Sequence, residues 1–190
     1  MEKRSLLRPL EFRGADKGKT LAGYAAVFNS PADIGGFFIE KIAPGAFDGA
    51  LSADVRALIN HDTGRVIGRT KAGTLRLTQD QTGLAFEIDL PDTVDGRDLG
   101  VLVDRGDITG VSFGFEVTKQ TWDETGDVPI RTVEAVNLYE ISPTAFPAYD
   151  DTTIAMRSLE AVRKESKRTN FNAAAMRVRM KAHLDLKGRE

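Results

Sequence analysis

Three side chains of this chain have the types needed to cut an acyl bond. Ser112 lies in Gly110-Val-Ser112-Phe-Gly114, His61 follows the apolar run 55–60, and Glu140 stands between Leu138 and Ile141 in a locally apolar segment. A serine hydroxyl is a weak nucleophile that needs a neighbouring base, usually histidine, and a third group that orients the base and stabilises its charged form. His61 and His183 are the only histidines, and His183 lies far along the chain, so His61 is the candidate base. Each residue also has a plain structural reading: Ser112 as a small residue opposite a packed strand, His61 as a turn residue beside Asp62, Glu140 as a solvated strand charge.

Two other patterns invite chemistry and do not hold. Gly14-Ala-Asp-Lys-Gly18-Lys19-Thr20 has three residues between its glycines where a phosphate loop needs four, and the sequence after it is strand-like, so no helix N-terminus would face a phosphate. Gly110 to Gly114 fits G-x-S-x-G, the turn that exposes the serine of an unrelated class of hydrolases. Here Phe113, Phe115 and Val117 continue a strand through it, and the chain order of that class would require His183 as its base. Gly110 and Gly114 are read as marking a kink or bulge, or a close substrate approach.

The elements that must position the three residues are mostly strands. Residues 6–12 and 20–28 read as strands around a charged turn, 37–42 as another, and PGAFDGAL from Pro44 as a short helix. Residues 55–60 form a buried strand delivering His61 at its end. Residues 74–78 and 84–90 alternate around a turn, as a hairpin does. The spacing predicts one body helix over 93–105, with Val94, Leu99, Leu102 and Val103 as its apolar stripe and Gly106 past its end. Val111, Phe113, Phe115 and Val117 then point one way and Ser112, Gly114 and Glu116 the other, at strict period two. Residues 128–138 read as a further strand, with 139–142 continuing toward bends at Pro143 and Pro147. Strands and helices do not alternate, so a strand-rich α+β barrel is expected rather than a βαβ repeat.

Composition bounds the class. At 190 residues the chain is long enough for one domain and an appendage, and 41% hydrophobic with 28% charged residues belongs to globular rather than disordered chains. The absence of cysteine excludes disulfides, thiolate zinc, iron–sulfur clusters and a cysteine nucleophile, and two histidines argue against a multi-histidine metal centre; neither metal nor cofactor is expected. MEKRSLLRPLEF has no apolar stretch like that of a signal peptide, and no run approaches the roughly 18 apolar residues of a membrane span, so a soluble, non-exported protein is expected. The net charge of -2 hides a division: residues 157–190 hold ten Lys or Arg against four Asp or Glu. All seven prolines lie at or before Pro147, and no glycine falls between Gly126 and Gly188. This predicts a body over 1–156 and a basic helical or disordered tail over 157–190. Only Phe171 interrupts the basic residues with an aromatic ring, so nucleic-acid binding finds little support.

Several blocks, in order over residues 5–155, resemble the phage prohead proteases of the HK97 type. They are GYAAVFNSP, EKIAPGAFDGAL, the LINHD holding His61, the GVSFGF holding Ser112, and YEISPTAFPAY holding Glu140. The resemblance implies a serine endopeptidase with a fold related to the herpesvirus assemblins, an antiparallel β-barrel ringed by helices. It implies that the enzyme works in the host cytoplasm inside the procapsid, cutting the scaffolding region from the major capsid protein and cutting itself, with a homodimer as a further expectation by analogy with the assemblins. Carried over by residue, Ser112 is the nucleophile, His61 the base and then the acid, and Glu140 the orienting group, where assemblins use a second histidine; Asp62 and Asp150 are the alternatives for that third position. The basic tail becomes a candidate targeting arm removed by self-cleavage. The competing classes are a catalytically silent head scaffold or binding module and an unrelated hydrolase using Ser112 without His61.

Overall fold

Period-two alternation governs most of the body, and the computed structural model, which describes residues 1–7, 10–15, 18–146, 160, 163 and 164, turns it into strands. In chain order these are β1 (Glu2–Leu7), β2 (Glu11–Ala15), β3 (Gly18–Val27), β4 (Ala32–Ile34), β5 (Phe38–Ile42), β6 (Arg56–Ile59), β7 (Asp62–Arg69), β8 (Leu75–Gln79), β9 (Gly83–Asp89), β10 (Gly110–Asp123) and β11 (Ile130–Thr144), with α1 (Val94–Asp104) between β9 and β10. The segment after Pro44 forms a short 3-10 helix, Asp48–Ser52. Residues 6–12, read as one strand, are shared between β1 and β2, which belong to different sheets.

β2, β3, β9 and β8 form one antiparallel sheet in that order. The other is organised around β11, which pairs antiparallel with β10 along its whole length; β1 lines the far side of β10. The opposite edge of β11 is divided: Ile130–Val133 pair in parallel with β5, and Glu140 and Ile141 in parallel with β6. β4 then pairs with β5, and β7 with β6. The expected closed barrel is therefore not formed, nor is the sheet wholly antiparallel. An edge shared by two short partners leads to β4 and β7 rather than back to β1, and β2 and β8 remain edges of the smaller sheet. Closure needs an unbroken circuit of paired strands, and the described residues up to 146 contain two open sheets and one α-helix instead of a barrel ringed by helices.

The core joins both sheets. Leu21, Ala25, Phe86 and Ile88 from one meet Val111, Phe113, Phe115, Val133 and Ile141 from the other, with Phe47 beneath Phe113. Helix α1 adds Leu99 and Val103; its N-terminus is capped by Thr93, which accepts from the Gly96 N–H, and Gly106 at φ 80° ends it. Val94, expected in the apolar stripe, faces solvent because it opens the first turn, away from the positions that pack. No helix among the described residues is long and apolar enough to cross a membrane.

A buried ionic cluster ties β1 to the sheet. Arg4 donates to Glu40 at 2.6 and 2.9 Å and to Glu2 at 2.8 Å, and Arg131 donates to both carboxylates at 2.8 Å and to Gln120 at 2.7 Å. The guanidinium groups also lie over aromatic rings, Arg4 over Phe115 and Arg131 over Trp122. Two cations face two carboxylates, so removing one partner leaves buried charge without compensation. Arg131→Ala is expected to cost about 3–5 kcal/mol, read as a fall in the urea midpoint; an unchanged midpoint would show that the cluster contributes nothing. Burial alone would raise the Glu2 carboxyl, but Arg131 and Arg4 more than offset it and hold it below its usual 4.5. A depressed folded-state value means that this contribution is complete above pH 4.5 and is lost as pH falls through the folded value. The wild type should therefore lose stability on acidification more steeply than Arg131→Ala.

The chain divides into two units, Met1–Thr152 and Thr153–Glu190. Of the second, the described residues are Glu160, Arg163 and Lys164, which are helical and exposed; the rest of the expected basic tail lies outside the described residues.

Candidate active site

His61 is placed by a tight turn. Ile59 pairs with Asp62 across the β6–β7 hairpin, leaving Asn60 and His61 as its two connecting residues, with φ of 50° and 61°. Two central residues at positive φ are what a type I′ hairpin turn demands, and asparagine is among the residues that tolerate it best. The turn is bound to the end of β11: the Asn60 N–H donates to the Pro143 carbonyl at 3.1 Å, and the His61 N–H to Ser142 Oγ at 3.2 Å. At the base of the hairpin Arg69 donates through two nitrogens to Asp54 at 2.7 and 2.6 Å and holds its carboxyl at about 2, fixing the start of β6 against the end of β7.

Glu140 is placed by a bulge. Gly114 pairs with Glu140 while the next residue, Phe115, pairs with Leu138, so Tyr139 is an extra residue in β11. Without it, alternation would put Glu140 on the same side as Leu138, in the apolar core. With it, Leu138 faces the core opposite Phe115 and Glu140 turns to the other face beside Gly114. The extra residue points outward, and Tyr139 Oη donates to Glu116 at 2.8 Å.

Directly opposed residues of an antiparallel pair share a face. Ser112 pairs with Ser142 and Gly114 with Glu140, which puts all four on one side of the sheet, while Phe113 and Ile141 fill the core on the other. On this face His61 Nδ1 lies 2.7 Å from Glu140 Oε1, and Ser142 Oγ donates to Glu140 Oε2 at 2.5 Å. Both carboxylate oxygens are thus engaged; with Nδ1 as the donor of this contact, a neutral ring would keep its lone pair on Nε2. Glu140 is 5% exposed at its side chain and His61 17%, so the contact is shielded without being sealed. A Cβ on Gly114 would stand 2.3 Å from Glu140 Oε1; only glycine leaves the space the carboxylate occupies.

Ser112 is 1% exposed, and its hydroxyl donates to the Arg4 carbonyl of β1 at 3.0 Å, not to His61. Of the sequence-predicted residues, His61 and Glu140 are thus in direct contact, and Ser112 shares their face of the sheet. Asp62, an alternative third member, accepts from the Gly64 N–H at 2.8 Å and serves the turn; Asp150 lies outside the described residues. Sequence reasoning missed Ser142, whose signal was its place two residues after Glu140, and the role of Gly114, which it read as a kink or an approach to substrate. Among the described residues no three His, Asp or Glu side chains group as a metal site.

A family model described as caudovirus prohead serine protease matches residues 8–165. No curated protein and no solved structure matches the chain. The family match agrees with the resemblance carried by LINHD, GVSFGF and YEISP, and favours a peptidase over a catalytically silent head module. The match spans most of the described body and includes His61, Ser112 and Glu140, so the chain belongs to the caudovirus prohead serine proteases, serine peptidases of phage head maturation that act in the prohead among its capsid proteins.

Proposed function

We propose that the protein is an endopeptidase that removes the scaffolding region from the major capsid protein and trims itself inside the procapsid, using Ser112, His61 and Glu140. The observation that carries this reading is the 2.7 Å contact between His61 Nδ1 and Glu140 Oε1 on the face of the sheet that Ser112 shares by register.

The chemistry follows from those atoms. The reaction requires Ser112 Oγ to leave the Arg4 carbonyl and take His61 Nε2 as its acceptor, with the side chain turned to another staggered position. Oγ then adds to the scissile carbonyl carbon while Nε2 takes its proton, giving a tetrahedral oxyanion and an imidazolium whose Nδ1–H is held by Glu140. The imidazolium returns the proton to the leaving amine, the C–N bond breaks, and an acyl ester on Ser112 remains. Water attacks the ester by the same route in reverse roles, releasing the new carboxyl terminus. A neutral hydroxyl on a backbone carbonyl is a resting arrangement: its net worth is about 1 kcal/mol, small beside the rest of the barrier.

The basic segment 157–190 is proposed as a targeting arm removed by the same activity, and assembly is proposed to bring two copies together in the procapsid formed in the host cytoplasm. The test is the intact mass of the purified protein, incubated alone and with the major capsid protein of its phage under assembly conditions. Trimming of the capsid protein, with a new C-terminus on this chain near Arg157, is expected. Both proteins remaining whole would overturn the reading, and a cut capsid protein beside an intact tail would remove the self-trimming and the arm.

A further inference from the structure

Ser142 is buried completely, and its hydroxyl bridges the proposed base and the proposed orienting group. It accepts from the His61 backbone N–H at 3.2 Å and donates its only hydrogen to Glu140 Oε2 at 2.5 Å. We infer that Ser142 is a positioning residue of the peptidase, a clamp that fixes the Glu140 carboxylate and the His61 turn in one frame. The inference rests on the reading of Ser112, His61 and Glu140 as a catalytic triad and extends it by a fourth residue that touches no substrate.

The geometry gives the clamp its purpose. Glu140 reaches His61 from a bulged strand, and His61 comes from a hairpin turn at positive φ; neither element alone fixes the other. The His61 ring contact holds Oε1, but a carboxylate held through one oxygen can swing about its terminal torsion, which is broad. Ser142 holds the other oxygen. Through its acceptor side the same hydroxyl fixes the backbone of the residue whose ring must stay aligned, so one atom constrains both partners. Hydrogen bonds to charged groups are roughly twice as strong as neutral ones, and their geometry is correspondingly restrictive. Since the clamp acts on the base and not on the bound peptide, its loss should appear in kcat and leave KM unchanged.

The test uses the full chain and a peptide spanning the capsid cleavage site mapped by mass. Ser142→Ala is expected to lower kcat by about ten- to a hundredfold, the scale of a lost charge-assisted hydrogen bond, with KM within about twofold. Ser142→Cys keeps the packing but donates weakly, so it should lose kcat too, whereas a purely space-filling role would leave it at the wild-type value. In a Glu140→Gln background Ser142→Ala should cost less than about twofold, because the group it steadies has already been changed. Wild-type kcat in Ser142→Ala or Ser142→Cys, or the same fold loss in both backgrounds, would overturn the inference. Ser112→Ala in the same assay separates the two levels: if it stays active the triad reading fails first, and if it is dead while Ser142→Ala is fully active only the clamp fails.

Discussion

Ser112→Ala should remove cleavage by about a millionfold, the scale on which a serine peptidase depends on its nucleophile. The other serines near the site do not substitute for it. The Ser142 hydrogen is committed to Glu140, and Ser5, opposite Ser112 on the edge strand β1, is one strand further from β11 and Glu140. Among the described residues Ser112 combines a place on the face of Glu140 with a hydroxyl that donates to a backbone carbonyl. The replacement should cost little stability, about 1 kcal/mol, since it removes one neutral hydrogen bond and leaves the strand register intact. Activity and stability therefore separate, and the measurement is the intact mass of Ser112→Ala beside the wild type over the same incubation, with the thermal midpoint of each. A fluorophosphonate adduct on the wild type should map to the peptide holding Ser112. Retention of more than about a hundredth of the wild-type rate would mean that the nucleophile lies elsewhere, since losing it leaves only the background contributed by oxyanion stabilisation and binding.

The contact at the centre of the candidate site was more legible in the sequence than the fold around it, for physical reasons that differ by residue. The alternation 111–117 is a local pattern, and β10 obeys it: Phe113 and Phe115 enter the core and Ser112 turns away. The run 55–60 likewise became β6 with His61 past its end, although β7, which completes the hairpin, was not read, because its exposed and intermediate residues give no apolar period. Glu140 is a candidate by residue type and by resemblance. Its orientation depends on the extra residue Tyr139, whose mark in the sequence is a spacing of three instead of two between the core residues Leu138 and Ile141. Pro143, read as a bend, lies within β11, where its carbonyl accepts from the Asn60 N–H. The barrel was an expectation about closure, which is decided by which edges find partners far along the chain. Here β11 divides one edge between β5 and β6, a choice no local pattern reports.

The second large effect is expected at a residue that carries no chemistry. Gly114→Ala should reduce cleavage about as severely as Glu140→Gln, roughly a thousand- to ten-thousandfold, the cost of losing a correctly oriented carboxylate behind the base. The added Cβ would stand 2.3 Å from Glu140 Oε1 and 2.9 Å from Met1 Sδ. Both are ends of flexible side chains, so they can move aside and the strand can keep its pairing. Gly114 is not among the residues at positive φ, so alanine fits its backbone, and the lost freedom of the unfolded chain contributes about 0.4–1 kcal/mol in favour of folding. That gain offsets only part of the cost of displacing a nearly buried carboxylate from its partners, and the site loses more, because the position Oε1 vacates is the one from which it holds His61 Nδ1. The two variants should also fail together: adding Gly114→Ala to Glu140→Gln should cost little more than either alone, since both remove the same contact. The measurement is the cleavage rate of the three variants with their thermal midpoints. Wild-type activity in a folded Gly114→Ala protein would mean that Glu140 need not occupy the place beside His61, and would remove it from the proposed mechanism.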